Sequence, residues 1–197
     1  MQISTNLLLE YGGIQKIFEK NEYIFHEGDT ARYFYQIIKG RVKVFCTNDD
    51  GKLFVQGVFV DGNSFGEPPL LIKEKYPVSA VALCKSVILK IGDTAFEELM
   101  NKNQHIQKTM IQLLARRIFD KSKIAKDMMN QKTEHRILSF LEDFKAKNGH
   151  HIEKIFIPFT RQEIADFTGL RVETVIRSLL KLKNKNIVEI TNRKLYY

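Results

Sequence analysis

Within seven positions the chain carries Arg171, Glu173, Ile176 and Arg177, residue types that can read the edges of base pairs. An arginine donates two parallel hydrogen bonds to guanine O6 and N7, a glutamate accepts from the amino group of cytosine or adenine, and an apolar tip touches a thymine methyl. That chemistry requires the four side chains to share the outer face of one helix, held at a fixed angle by another. The segment FTRQEIADFTGLRVETVIRSLLKLK has the spacing to build such a pair. Thr160 and Glu163 form a T-x-x-E capping box that opens a first helix. Ala165 is small where two helices must cross closely, Gly169 four residues on suits a left-handed turn, and Val175 ten residues on is the branched residue the second helix buries. An ordinary helical hairpin with charged outer faces is the alternative, and Ser178, where an apolar residue is more usual, is the misfit. Beyond the second helix, KNKNIVEITNRKLYY predicts two short strands with a basic turn at Asn192, Arg193 and Lys194, a wing near phosphates. The expected DNA-binding residues are Thr160, Arg161 and Gln162 at the first helix and Arg193 in the wing. On the second they are Arg171, Val172, Glu173, Thr174, Ile176, Arg177 and Lys181.

The charge distribution agrees. The chain has 31 Lys+Arg against 23 Asp+Glu, a net of +8, and residues 131–197 hold 13 of those cations against 8 of the anions. A basic C-terminal third suits a polyanionic partner, of which nucleic acid is the usual one.

These residues need a scaffold. From about Glu19 to Ile91 apolar runs (YFYQII, RVKVF, LFVQGVFV, VSAVAL, VILKI) alternate with turn signals, and Gly28, Gly40, Gly51 and Gly62 recur every 11 or 12 residues. Short strands at that interval predict an antiparallel sandwich or roll. From Asp93 to about Asn130 there is neither proline nor glycine, which predicts one long helix. Its apolar seam, Ile111, Leu114, Ile118, Ala125 and Met128, broken by Lys121, is heptad-like. It can pack on its own sheet or on the same helix of a second copy, and its length beyond what the roll could cover favours the second copy. A shorter helix from Thr133 to Lys147 is expected to stop at Asn148 and Gly149. The expected fold is therefore α+β in three parts: a jelly-roll-like β-roll with an N-terminal helix (1–92), a dimerisation helix (93–130) and a winged helix-turn-helix (131–197).

From about Ile14 onward the chain resembles the cyclic-AMP receptor protein and fumarate–nitrate regulator superfamily. The residues that carry the resemblance are IFHEGDTARYFYQIIKGRVKVF, DGNSFGE, LLARRI and TRQEIADFTGLRVETVIR, in the family's order. The likeness implies a homodimer, an N-terminal effector roll, a hinge near Asn130 to Lys132, and regulation of transcription with RNA polymerase. The stretch ETVIR is similar to the E-T-x-S-R pattern of fumarate–nitrate regulators, with Ile176 in place of serine. Val172 stands where cyclic-AMP receptors have an arginine.

The resemblance also locates an effector pocket, and there the residues depart from the pattern. Phe65, Gly66 and Glu67 match the cassette that offers backbone donors and a ribose acceptor, but Pro68 and Pro69 follow and remove two backbone donors. Tyr76 and Pro77 replace the arginine and its neighbour that pair with a cyclic phosphate. A tyrosine brings no charge, so a buried phosphate would lose its main partner. Lys121 and Ser122 occupy the positions that meet the base, with Lys121 a candidate substitute cation. Cyclic AMP is accordingly not expected to bind, and the effector is left unassigned.

Other classes find less support. The histidines form no HxH or HExxH pattern, and Cys46 and Cys84 each sit in a strand-like apolar run, so neither metal catalysis nor an iron–sulfur cluster is expected. A cupin-like metalloenzyme would need clustered ligands that are missing. A regulatory subunit with a vestigial helix-turn-helix, acting on a protein partner, is the remaining alternative. No membrane span and no signal peptide are read, which predicts a cytoplasmic protein.

Overall fold

The computed structural model describes residues 3–49, 51–129, 132–147 and 154–197. The chain divides into two compact units, Met1–Asn48 with Val55–Phe119, and Asp49–Phe54 with Asp120–Tyr197.

The first unit is a β-roll of two antiparallel sheets. After a short helix α1 (Thr5–Glu10) come β1 (Ile14–Phe18), β2 (Tyr23–Phe25), β3 (Tyr33–Lys39), β4 (Arg41–Thr47), β5 (Leu53–Val60) and β6 (Ser64–Phe65). A helix α2 (Glu67–Ile72) interrupts the strands before β7 (Ser79–Ala82) and β8 (Ser86–Gly92). One sheet has the order β1-β8-β3-β6 and the other β2-β7-β4-β5. The four turn glycines all have positive φ, as their spacing predicted. β1 lies five residues before the expected start of β structure. It is an edge strand with four of its five residues exposed, so it shows no alternating pattern to read. The core between sheets and helices includes Phe18, Phe34, Ile37, Phe65, Ile88 and Leu99.

The single helix expected from Asp93 is two helices, α3 (Asp93–Lys102) and α4 (Gln104–Met129). α3 buries Phe96 and Leu99 on the roll, with Phe96 stacked on Phe34 at 4.3 Å. The break falls at Asn103, whose side chain donates to the Leu99 carbonyl at 2.8 Å while its own carbonyl accepts from the amides of Ile106 and Gln107. Asparagine competes with its own backbone for hydrogen bonds, so it can end one helix and open the next without glycine or proline. α4 then lays Ile106, Met110, Leu113 and Leu114 against the roll core.

The second unit contains α5 (Thr133–Lys147), β9 (Phe156–Ile157), α6 (Arg161–Thr168), α7 (Val172–Asn184), β10 (Glu189–Thr191) and β11 (Lys194–Tyr196). α5 has the predicted bounds; Asn148 and Gly149, its expected stop, lie outside the described residues, as do Asn130 and Gln131 of the expected hinge. The strands pair in the order β10-β11-β9, one more than the sequence predicted. Ile137, Leu141, Ile164, Val175, Leu179, Leu182 and Leu195 make its core. Lys52, which clusters with this unit, donates to the carbonyl of Gly169.

Candidate nucleic-acid interface and effector cassette

The capping box closes in both directions: the Glu163 amide donates to Thr160 Oγ1 at 3.1 Å, and the Thr160 amide to Glu163 Oε2 at 2.7 Å. This satisfies two of the amides that the first turn of α6 leaves without helical partners. Gly169 ends α6 at φ 63°, a left-handed conformation that glycine takes without a Cβ penalty. Thr168 is buried, and its hydroxyl returns to the Ile164 carbonyl at 2.6 Å. Arg136 of α5 donates to the Thr168 carbonyl, covering the end of α6. Ala165 and Val175 are buried where α6 and α7 meet.

Ser178 is the residue whose type was unexpected, and the structure supplies its reason. It is buried, and its hydroxyl lies 3.1 Å from that of Thr133 at the start of α5. A satisfied hydroxyl pair therefore replaces an apolar contact.

α7 opens at Arg171, whose carbonyl accepts from the amides of Thr174 and Val175. Its buried face is Val175, Ser178, Leu179 and Leu182. The opposite face exposes Arg171, Glu173, Ile176, Arg177 and Lys181, while Val172 and Thr174 are half-buried. At the start of α6, Thr160 and Gln162 are exposed, Gln162 donating to Asp166 at 2.8 Å. Arg161 is half-buried, and desolvation lowers its guanidinium pKa from the ordinary value. In the wing, Thr191 pairs with Lys194, so Asn192 and Arg193 form a two-residue hairpin loop with φ of 49° and 62°. Asn-Gly is the favoured sequence for such a turn. Here Arg193 takes the second place, at a steric cost of about 1–2 kcal/mol for a side chain with φ > 0.

The cassette in the roll is built differently. Gly66 precedes α2, and Pro68 and Pro69 fall in the first turn of that helix, where an amide has no helical partner to lose. Glu67 is fully buried, and its Oε2 accepts from Arg117 Nη1 at 2.5 Å. Arg117 Nη2 donates to the Ser64 carbonyl at 2.6 Å, and the guanidinium lies over the Phe59 ring at 5.2 Å. Tyr76 is buried and stacks on Phe25 at 3.7 Å, its ring 8° from parallel. Its hydroxyl donates to the Tyr33 carbonyl at 3.5 Å, and burial pushes its pKa up. Burial, with smaller contributions from Tyr33 and Asp29, likewise pushes Tyr35 up to about 12. A Cβ on Gly66 would come within 3.2 Å of Phe25 and 3.3 Å of Tyr76, so rings already fill the space beside it. Pro77 is exposed.

Lys121 and Ser122 are exposed and lie on the part of α4 grouped with the second unit. The cation that meets Glu67 is Arg117, one turn earlier on α4, and sequence reasoning missed it; the only signal was its place in LLARRI. On the expected seam, Ile111 and Ile118 are 68% and 67% exposed and Ala125 is exposed, but Leu114 is half-buried on the roll. Phe119, also exposed, adjoins that stripe, and the Met128 side chain lies outside the described residues.

Comparison with known proteins bears on both sites. The cyclic nucleotide-binding domain family matches residues 15–103, and the Crp-like helix-turn-helix domain family matches residues 135–196. The chain belongs to the cyclic-AMP receptor protein and fumarate–nitrate regulator superfamily. Among superfamily members it is 24% identical over 181 residues to the transcriptional activator protein Anr of Pseudomonas aeruginosa, covering 90% of this chain and 74% of that one. It is also 24% identical over 190 residues to the nitrogen fixation regulation protein FixK of Azorhizobium caulinodans, covering 92% and 74%. The fold is that of the c-di-GMP responsive global regulator CLP of Xanthomonas campestris, with a TM-score of 0.78 at 21% identity over 95% of this chain and 96% of that one. CprK in complex with OCPA superposes with a TM-score of 0.77 at 17% identity, over 98% of this chain and 91% of that one. The protein is thus a transcription regulator of this superfamily with a DNA-binding helix-turn-helix. Among the described residues no three His, Cys, Asp or Glu side chains gather to hold a metal ion, and no helix is long and apolar enough to cross a membrane.

Proposed function

We propose that the protein binds an inverted-repeat DNA site as a homodimer and regulates transcription with RNA polymerase in the cytoplasm. The observation that carries this reading is the outer face of α7, where Arg171, Glu173, Ile176 and Arg177 are exposed together on its N-terminal half. Arg177 pairs with guanine O6 and N7, and Glu173, one turn earlier, accepts from a neighbouring cytosine or adenine amino group. Thr160, Arg161, Gln162 and Lys181 flank that face, and Arg193 reaches phosphates from the wing. Ile111, Ile118 and Ala125 supply the dimer seam, placing two reading heads about one helical turn of DNA apart. The effector is not cyclic AMP: no cassette residue replaces the phosphate-binding arginine, and Arg117 is engaged by Glu67.

Selection of bound duplexes from a random pool tests this reading. The expected product is an inverted repeat whose half-sites contain a guanine beside an A or C, similar to TTGA-type sites. Arg177→Ala should cost about 1–3 kcal/mol on the selected site and relax selection at that guanine. A pool that enriches no sequence would refute the reading and favour a vestigial helix-turn-helix acting on a protein.

A further inference from the structure

Two exposed residues of α7 are not accounted for by phosphate or base-edge hydrogen bonding. Ile176 and Leu180 are 43% and 50% exposed and lie four residues apart, hence on one side of the helix. With Phe156, 47% exposed on β9, they wall a groove of about 810 Å³ between α7 and the wing sheet. Three cations, Arg161, Arg193 and Lys194, also line it. An apolar wall lined with cations fits a polyanion that carries apolar groups between its charges. Duplex DNA is such a ligand, because the 5-methyl of thymine is the apolar group that its major groove displays.

We infer that Ile176 and Leu180 form a methyl-reading ridge, so that the protein recognises 5-methylpyrimidines and not only donor and acceptor patterns. This rests on the reading of α7 as the base-contacting helix. Four residues of helix rise about 6 Å, against about 3.4 Å between bases on one strand, so the two side chains address positions up to about two base steps apart. The same contact does not distinguish a methyl on thymine from one on cytosine. Binding therefore responds to 5-methylcytosine at a step facing the ridge as well as to thymine.

The test uses the full-length protein and the duplex obtained by selection. Each thymine of the half-site is replaced in turn by deoxyuridine, which removes the methyl and leaves every hydrogen bond, and affinity is read by fluorescence anisotropy. Burial of one methyl corresponds to roughly 0.8 kcal/mol, or about four-fold in affinity per half-site and about fifteen-fold when both carry the change. Wild type should show that loss at one or two positions, and 5-methylcytosine at such a position should recover it relative to cytosine. Ile176→Ser and Leu180→Ser, at solvent-exposed sites that leave the core intact, should each abolish the difference at one step. Equal binding of thymine and deoxyuridine duplexes by wild type would overturn the inference while leaving sequence-specific binding standing, and would hand the groove to a protein partner. A difference that persists in both variants would also overturn it. Failure to select any site refutes the DNA reading itself, a separate result.

Discussion

The outer face of α7 and the effector cassette both present charged side chains near apolar ones, yet they use them in opposite ways. On α7 the arginines and the glutamate project into solvent from a helix whose other face is packed in the core, so their hydrogen-bonding capacity is available to a ligand. In the cassette Glu67 is buried with Arg117 as its partner, and stacked Phe25 and Tyr76 fill the space beside Gly66. A charge exposed to water costs little and waits for a partner, whereas a buried charge must be compensated from within the protein. The first arrangement leaves its charges open to a ligand; the second commits Glu67 Oε2 and the Ser64 carbonyl to Arg117 of α4, while Glu67 Oε1 and Ser64 Oγ stay buried without a protein partner.

The largest test of that comparison lies on the proposed seam, which would double the reading face. Ile118→Glu should give monomers by sedimentation at micromolar concentration. Loss of the second reading head should reduce affinity for the inverted repeat at least about a hundred-fold. A dimeric Ile118→Glu variant with intact binding would mean that the pairing surface is elsewhere.

In the cassette, Arg117→Ala leaves a buried carboxylate without its cation and should lower unfolding free energy in urea by about 3 kcal/mol. Replacing both Glu67 and Arg117 with leucine should recover most of that loss. A single variant within 0.5 kcal/mol of wild type would show that the pair is not needed to compensate the burial.

Smaller in size, and opposite in sign for stability and binding, is the effect expected of Arg193→Gly. Relief of the left-handed arginine, less the extra freedom of glycine in the unfolded chain, should stabilise the protein by about 0.5–1 kcal/mol. The same change should weaken specific and scrambled duplexes alike and lower the salt slope by roughly one per subunit. A stability gain with unchanged salt dependence would remove Arg193 from the interface.

The smallest expected effect is none: cyclic AMP and cyclic GMP should give no heat of binding and no change in DNA affinity. A micromolar dissociation constant would overturn that expectation, and Arg117→Ala and Lys121→Ala would then show which cation meets the phosphate.

What the sequence alone determined about this protein is what neighbouring residues decide. The capping box of Thr160 and Glu163, the small Ala165, the left-handed Gly169 and the buried Val175 fall within sixteen residues, and each requirement acts across one or two helical turns. The turn glycines and the apolar runs were legible for the same reason, since a strand or a tight turn is specified by its own residues. The tertiary structure decided what depends on distant partners. Arg117 and Glu67 are 50 residues apart, and Thr133 and Ser178 are 45 apart. No periodicity in the sequence records either pair. The break at Asn103 escaped because asparagine is a common helix-surface residue until its side chain turns back on the backbone. Leu114 had the spacing of the seam, but α4 has two apolar sides, and only the presence of the roll determined which of them would claim it. Local propensity is written along the chain, whereas burial is a property of what arrives from elsewhere in it.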